Sequence, residues 1–256
     1  MKMAVIGCGN LATAVVSKIE GVELHTYTPS FTRAEELARL KSGKAYKDLK
    51  DVPQVDFLLL GMKPQQFEAF AKDFKDHLHK DTMVISLLAG TSVKTIKEHL
   101  GAKKIARVMS NTPALVGEGL HALYFEGIEN PDIVENFFKA SGKTIVLKSE
   151  DQIDAITCFS GSGPAYVFEL ARVLTKELQS RGFSSAEAEI VIKQTFLGSS
   201  ILMSKEEKSP LELRKQVTSK AGVTEKVLES IEADGFEPLW TKAILAGEKR
   251  IKELKG

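Results

Sequence analysis

Short apolar runs alternate with stretches of helical spacing through the first 150 residues. Residues 3–6, 22–27, 55–60 and 83–88 read as strands, and 105–108, 119–125 and 144–146 are further strand candidates. The runs VDFLLLGM and TMVISLLAG are continuously apolar rather than alternating, which suits strands buried on both faces of a parallel sheet. Between the first strands, residues 10–19 and 30–40 carry helical periodicity, with Ser30 or Thr32 as cap. Strand and helix alternating at this length predict a doubly wound α/β domain.

The pattern changes near residue 150. After Ser160-Gly161-Ser162-Gly163-Pro164 the strand signals stop, and 165–181, 185–204, 211–216, 224–232 and 239–254 all read as helices. Pro164 suits a first helical turn, where its missing N–H is not needed. The expected division is an α/β domain over 1–155 and an all-helical domain over 156–256. The helix AYVFELARVLTKEL has bulky residues on more than one face, which predicts burial against a second chain or against the first domain.

Composition narrows this picture by exclusion. With 35 Lys and Arg against 34 Asp and Glu, the net charge of +1 gives no electrostatic case for nucleic acid or an anionic membrane. No apolar run approaches the ~18 residues of a membrane span, and AVIGC is too short for a secretory signal. Two cysteines, Cys8 and Cys158, provide no disulfide framework. A cytoplasmic chain without nucleic-acid or membrane partners is therefore expected.

The first candidate chemistry is Gly7-Cys8-Gly9-Asn10-Leu11-Ala12, which matches G-x-G-x-x-G/A directly after a strand and at the start of a helix. Gly7 allows a tight turn, Gly9 lets the backbone approach a pyrophosphate, and Ala12 lets the helix pack close to the strand. An NAD-binding protein carries an acid about 20 residues further on for the ribose 2′-hydroxyl. Here the segment Tyr27-Thr28-Pro29-Ser30-Phe31-Thr32-Arg33 has none. Thr28, Ser30 and Arg33 suit a 2′-phosphate instead, so NADPH is expected over NADH. Gly61-Met62-Lys63-Pro64, Leu88-Ala89-Gly90 and Asn111-Thr112-Pro113 follow strands where open α/β sheets bind ligands, so Met62, Lys63, Pro64, Ala89, Gly90 and Asn111 join the cofactor-side candidates.

A second turn, Ser219-Lys220-Ala221-Gly222-Val223-Thr224, leads into a helix and offers backbone N–H groups and a helix dipole to a small anion. His25, His77, His79, His99 and His121 are scattered and no Cys/His zinc spacing exists, so no metal site is expected.

Taken in order, GCGNLA at 7–12, KPQ at 63–65, LAG at 88–90, NTPALVGEG at 111–119, SGSGPAYVFEL at 160–170, QTFLGSS at 194–200 and VTSKAGVT at 217–224 resemble the pyrroline-5-carboxylate reductase family. The resemblance implies an N-terminal Rossmann-like domain, an all-helical C-terminal dimerisation domain, and NAD(P)H-dependent reduction of 1-pyrroline-5-carboxylate to L-proline in a homodimer or higher homo-oligomer. It also implies that Ser219, Gly222, Val223 and Thr224 bind substrate, that the Thr224 hydroxyl serves the ring nitrogen, and that Glu207 is a carboxylate on the substrate side. Three positions depart from the family pattern. Ser110 stands where Pro usually precedes Asn-Thr-Pro, and Lys220-Ala221 replace Pro-Gly.

A protonated cyclic imine is a strong electrophile, so such an enzyme needs alignment and carboxylate fixation rather than a nucleophile or metal. Ordinary alternatives remain for each residue: Thr224 as a helix cap, Glu207 as a solvated loop residue, Arg33 as a solvated helix residue. At the level of the whole chain, the rivals are another small-acid or imine reductase and a non-catalytic NADP-binding protein. The absence of an early lysine on the SGSGPAY helix speaks against alcohol–ketone chemistry, and the second anion turn speaks against a cofactor sensor.

Overall fold

The structure is a computed structural model describing residues 1–254, and the chain divides into two compact units. The first comprises Met1–Pro164 and the stretch from Gly247 onward; the second is Ala165–Ala246. This differs from the division expected at 155/156. Residues 156–164 and the stretch from Gly247 stay with the sheet unit because they pack there. A Cβ on Gly161 would lie 2.9 Å from Met109 Sδ, and one on Gly247 would lie 2.8 Å from Cys158 Sγ.

The sheet unit runs β1 (Lys2–Ile6), α1 (Asn10–Val16), β2 (Glu23–Tyr27), α2 (Phe31–Leu40), β3 (Lys44–Tyr46), β4 (Phe57–Leu60), α3 (Phe67–Phe74), β5 (Met83–Ser86), α4 (Val93–Leu100), β6 (Lys104–Met109), β7 (Gly119–Glu126), α5 (Asp132–Lys139), β8 (Gly142–Val146) and α6 (Glu150–Ile156). A π-turn over Thr157–Gly161 leads out of α6. The eight strands lie in the order β3-β2-β1-β4-β5-β6-β7-β8. β1 to β6 are parallel; β7 joins β6 antiparallel, and β8 is parallel to β7. Only nine residues connect β6 to β7, fewer than the dozen or so a parallel crossover needs, so the reversal follows from the length of the connection.

Alternate residues of each central strand feed two separate cores. Met3, Val5, Phe57, Leu59 and Ile85 pack with α1, α2 and α5 through Val15, Leu37 and Phe138. Ala4, Ile6, Leu58, Leu60 and Val84 pack with α3 and α4 through Phe67, Phe74 and Ile96. Each fully buried side chain of this size contributes roughly 1.5–3 kcal/mol, which explains why the continuous apolar runs become central strands. Helix α1 stops at Val16 rather than at 19. There the Ser17 hydroxyl turns back to the Ala14 carbonyl, while Ile19 still reaches the core.

The helical unit contains most of α7 (Gly163–Gln179), then α8 (Ser185–Lys205), α9 (Pro210–Gln216), α10 (Val223–Ala233) and the first part of α11 (Phe236–Leu254). Ser184 with Glu187, and Ser209 with Glu212, form reciprocal caps that set the starts of α8 and α9. Within the unit, Tyr166 and Trp240 meet edge to face at 5.2 Å between ring centres. Ala188 is the one buried residue between Ala165 and Ala246. No helix among the described residues is long and apolar enough to cross a membrane.

Candidate active site

In the sheet unit, the direction of chain progression reverses at β1. The chain moves outward through β2 and β3, then returns to place β4 on the other side of β1. Ligands of open α/β sheets bind in the crevice beyond the carboxyl ends of the strands at such a point. Gly7 ends β1 with φ at +93°, and a Cβ there would lie 2.6 Å from the Gly61 carbonyl carbon. A Cβ on Gly61 would in turn lie 2.7 Å from that of Ala12. The turns after β1 and β4 are therefore packed back to back, and Gly7, Gly61 and Ala12 are small for internal reasons.

Gly9 is different. It precedes α1 with an ordinary φ of −81°, and the nearest atom to an added Cβ is the Gly61 carbonyl oxygen at 3.9 Å. Nothing in the protein's own packing forbids a side chain there. Gly9 makes no side-chain cap, and the first turn of α1 contains no acid, so the helix start at Asn10, Leu11 and Ala12 faces outward with its donors uncapped. That is the arrangement a pyrophosphate requires.

Beside this turn lies a cleft of about 370 Å³ lined by Gly7, Tyr27, Thr28, Pro29, Leu49, Met62, Gln65, Gln66, Phe70 and Asp73, among others. Thr28 and Met62 are thus brought to the glycine turn. Ser30 is the N-cap of α2 but makes no side-chain cap bond, so Thr32 is not the cap and the Ser30 hydroxyl is exposed. Arg33 is exposed and forms no ion pair among the described residues. Lys47, which sequence reasoning missed, places its Nζ 5.2 Å from the Phe31 ring centre and brings a second cation to the start of α2. Its position just past β3 was the available signal, but a three-residue strand is too short to be seen as one. These residues fit a dinucleotide with a phosphorylated ribose.

Several candidates have other work. Cys8 is buried and directs its thiol to the carbonyls of Val5 and Tyr27. Burial pushes that thiol up to about 12, so it stays protonated and offers a ligand only its backbone. Gly90 adopts φ +73° beneath Leu254, whose Cβ lies 2.8 Å from where a Gly90 Cβ would sit, so it too is small for packing. Asn111 spends its side chain on bracing: Nδ2 donates to the carbonyl and hydroxyl of Ser160, and Oδ1 accepts from Leu120 N–H. Ala89 is half-buried against the Met109–Ile153 cluster. Lys63 is exposed, and Pro64 opens the turn leading to α3.

In the helical unit, α10 begins at Gly222, which caps without a side chain. Thr224 is the second residue of the helix and exposed, so it is not the cap. The Ala221 N–H donates to Glu225 Oε2 at 2.7 Å, and the Gly222 N–H to the Ser219 carbonyl at 3.0 Å. An anion at this turn is therefore left with the first-turn N–H groups of Val223, Thr224 and Glu225, beside the Glu225 side chain that reaches back to Ala221. The Ser219 hydroxyl occupies the space a Gly222 Cβ would need. Ala221 adopts φ +56°, a left-handed conformation that costs a residue with a Cβ roughly 1 kcal/mol; glycine at this position would avoid that cost. Glu207 is exposed between α8 and the Ser209 cap, and the neighbouring ion pair joins Lys208 to Glu206 instead. No group of three or more His, Cys, Asp or Glu side chains placed to hold a metal ion occurs among the described residues.

A mostly parallel sheet with an open phosphate turn, followed by a helical unit with little core of its own, defines a dinucleotide-dependent oxidoreductase of two-unit architecture. Residues 2–90 match the profile described as NADP oxidoreductase, coenzyme F420-dependent, and residues 150–254 match that of pyrroline-5-carboxylate reductase dimerisation. The chain belongs to the pyrroline-5-carboxylate reductase family. It is 32% identical to the pyrroline-5-carboxylate reductase of Pseudomonas aeruginosa, over 99% of this chain and 96% of that one. Among solved structures, the Coxiella burnetii pyrroline-5-carboxylate reductase superposes with a TM-score of 0.86 at 31% identity, covering 99% and 98% of the two chains. The Plasmodium falciparum pyrroline carboxylate reductase with NADP bound shares the fold, with a TM-score of 0.89 at 24% identity and coverage of 100% and 98%.

Proposed function

We propose that this protein reduces 1-pyrroline-5-carboxylate to L-proline, the last step of proline biosynthesis, with NADPH preferred over NADH. The observation that carries the reading is the pair of helix starts, α1 and α10, each opening on a glycine with no side-chain cap. One suits a pyrophosphate and the other a small carboxylate, in a chain related over its full length to pyrroline-5-carboxylate reductases.

When bound, the reduced nicotinamide supplies the hydride that the imine carbon gains; the ring nitrogen keeps a proton. The chain's own part is placement. Gly9 and the N–H groups opening α1 receive the pyrophosphate, while Thr28, Ser30 and Arg33, with Lys47, hold the 2′-phosphate. Met62, Lys63, Pro64, Ala89, Gly90 and Asn111 shape the far side through their turns. Val223 and Thr224 hold the substrate carboxylate by backbone N–H groups, with Ser219 and Gly222 setting the turn. The Thr224 hydroxyl meets the ring nitrogen, and Glu207 stabilises its positive charge. The division of labour follows the units: the sheet unit, Met1–Pro164 with the end of the chain, binds dinucleotide, and Ala165–Ala246 supplies substrate contacts and pairing.

The minimum assembly is a homodimer formed through the helical unit. Gly198 lies in mid-α8 with open space where a Cβ would project, which gives a partner helix room for close approach. Cys8 and Cys158 are both buried and neither forms a disulfide among the described residues, which is compatible with a reducing compartment such as the cytoplasm.

The test is NADPH oxidation with pyrroline-5-carboxylate as acceptor. A higher kcat/KM with NADPH than with NADH is expected, and Ser30→Asp should erase or reverse it by setting a carboxylate against the 2′-phosphate. Equal efficiencies in the unaltered chain would sink the cofactor assignment, and no turnover would sink the reaction.

A further inference from the structure

Behind the turn that follows β6 lies a buried polar chain that the reaction as described does not use. Ser110, His121 and Ser141 are 2%, 0% and 0% exposed. His121 Nδ1 stands 2.7 Å from Ser110 Oγ, and its Nε2 stands 3.0 Å from Ser141 Oγ. Ser141 Oγ is also 3.2 Å from the Phe138 carbonyl oxygen, which can only accept. The Ser141 proton therefore goes to Phe138, and its oxygen accepts from His121 Nε2–H. A neutral imidazole has one N–H, so Nδ1 accepts from the Ser110 hydroxyl. Each hydroxyl and ring nitrogen in the chain has one defined role.

This chain links α5, β7 and the start of β8 to the residue immediately before Asn111. On the other side, Asn111 is held to Leu120 and Ser160. The turn 110–113 sits beyond the carboxyl end of β6, along the same sheet edge as the ends of β1, β4 and β5. We infer that His121, neutral and protonated on Nε2, is a positioning residue that holds this turn through Ser110, so that affinity for the nicotinamide cofactor depends on the Ser110–His121–Ser141 chain. The inference rests on the placement of the nicotinamide at this edge proposed above.

Three substitutions at one position separate positioning from mere stability, read as the Kd for NADPH by fluorescence titration alongside the melting temperature. Ser110→Ala removes the donor to Nδ1 and frees the turn; its Kd should rise about three- to tenfold, the worth of one ordinary hydrogen bond. Ser110→Thr keeps the hydroxyl and should bind as the unaltered chain does. Ser110→Pro loses the hydroxyl but fixes φ, and the strand residue Met109 before it has the extended backbone that proline requires. Its Tm should fall while its Kd stays within about twofold of the unaltered value, because rigidity replaces the hydrogen bond.

The pH dependence gives a second readout. The groups facing His121 are Ser110, Ser141, the Phe138 ring and Gly119, none of them charged. Burial lowers its pKa below the ordinary 6.5, partly opposed by the neighbouring Ser141. Below that pH the unfolded chain binds more protons than the folded one, so the stability is complete above about 6.5 and lost as pH falls. As pH falls below 6.5, the Kd of the unaltered chain should rise more steeply than that of Ser110→Pro, which shares the effect of the cofactor's own phosphate titration.

A Ser110→Ala variant with lowered Tm and unchanged Kd would overturn the inference, as would a proline variant binding as poorly as the alanine one. A chain that binds NADPH but reduces no imine would defeat the functional reading alone, and the Kd series would still decide this one. Failure to bind NADPH at all defeats both.

Discussion

In the sheet unit, β4 is buried along its whole length and its helices share two closed cores. In the helical unit, α7 has no buried residue and α8 has only Ala188. Yet Phe168, Val173, Ile190, Leu197, Ile201, Leu202 and Met203 lie there with 41–69% of their surface in solvent. Around α8 the apolar residues occupy every side rather than one stripe, the pattern of a helix surrounded by protein. The contrast teaches that one unit carries its core within a single chain, while the other, matched to a dimerisation family, leaves its apolar side chains uncovered in one chain.

The largest effect should come from setting a charge into that unfinished core. Leu197→Glu adds a carboxylate to a surface that is exposed in one chain and that the proposed dimer would enclose, where an unpaired charge costs several kcal/mol. Light scattering should show a monomer and activity should collapse, while the sheet unit still binds NADPH. A dimer of normal activity would break the comparison.

The second effect sharpens it within the sheet unit. Gly7→Ala combines a forbidden φ with collision against the turn after β4 and should cost roughly 2–5 kcal/mol, enough to threaten folding. Gly9→Ala meets no atom within 3.9 Å and should leave Tm nearly unchanged while NADPH Kd rises at least about tenfold. A Gly9 variant that binds normally would show that the open space is not the phosphate's.

Next comes Thr224. The cap of α10 is Gly222, so Thr224→Ala should leave Tm almost untouched. Loss of a hydrogen bond to a charged ring nitrogen should lower kcat/KM for the imine by about ten- to a hundredfold, or roughly 1.5–3 kcal/mol. Unchanged kinetics in a folded dimer would move the substrate elsewhere.

The smallest effect is at Ala221. Replacement by glycine relieves the left-handed strain but adds freedom to the unfolded chain, leaving a net gain of at most about 0.6 kcal/mol. A melting curve reads it directly, and a lowered Tm would mean that the turn relaxes on dimerisation.

Much of the sheet unit was legible beforehand because both sequence signals and structure there are local. A continuous run such as FLLL becomes a central strand, and Gly7 and Ala12 are small for reasons the motif states. What was missed depends on distant partners. Nothing in Asn111 announces that Ser160 and Leu120 will claim its side chain, nor in Gly90 that Leu254 will cover it. Glu225 was invisible as a rival for the anion turn because its role depends on a reach back to Ala221. The apolar excess of α7 points to burial against a second chain or the first domain, while α8, where the signal is stronger, reads only as an ordinary helix.

The return of the chain from Gly247 onward into the sheet unit has a consequence for the order of synthesis. By the time Pro164 leaves the ribosome every strand has been made, but the surface around Cys158 and Gly90 still lacks the end of α11. At about 5–20 residues per second, residues 165–246 take roughly 4–16 s to produce. Through that interval the nascent sheet unit waits with an open seam, which the last residues of the helix close.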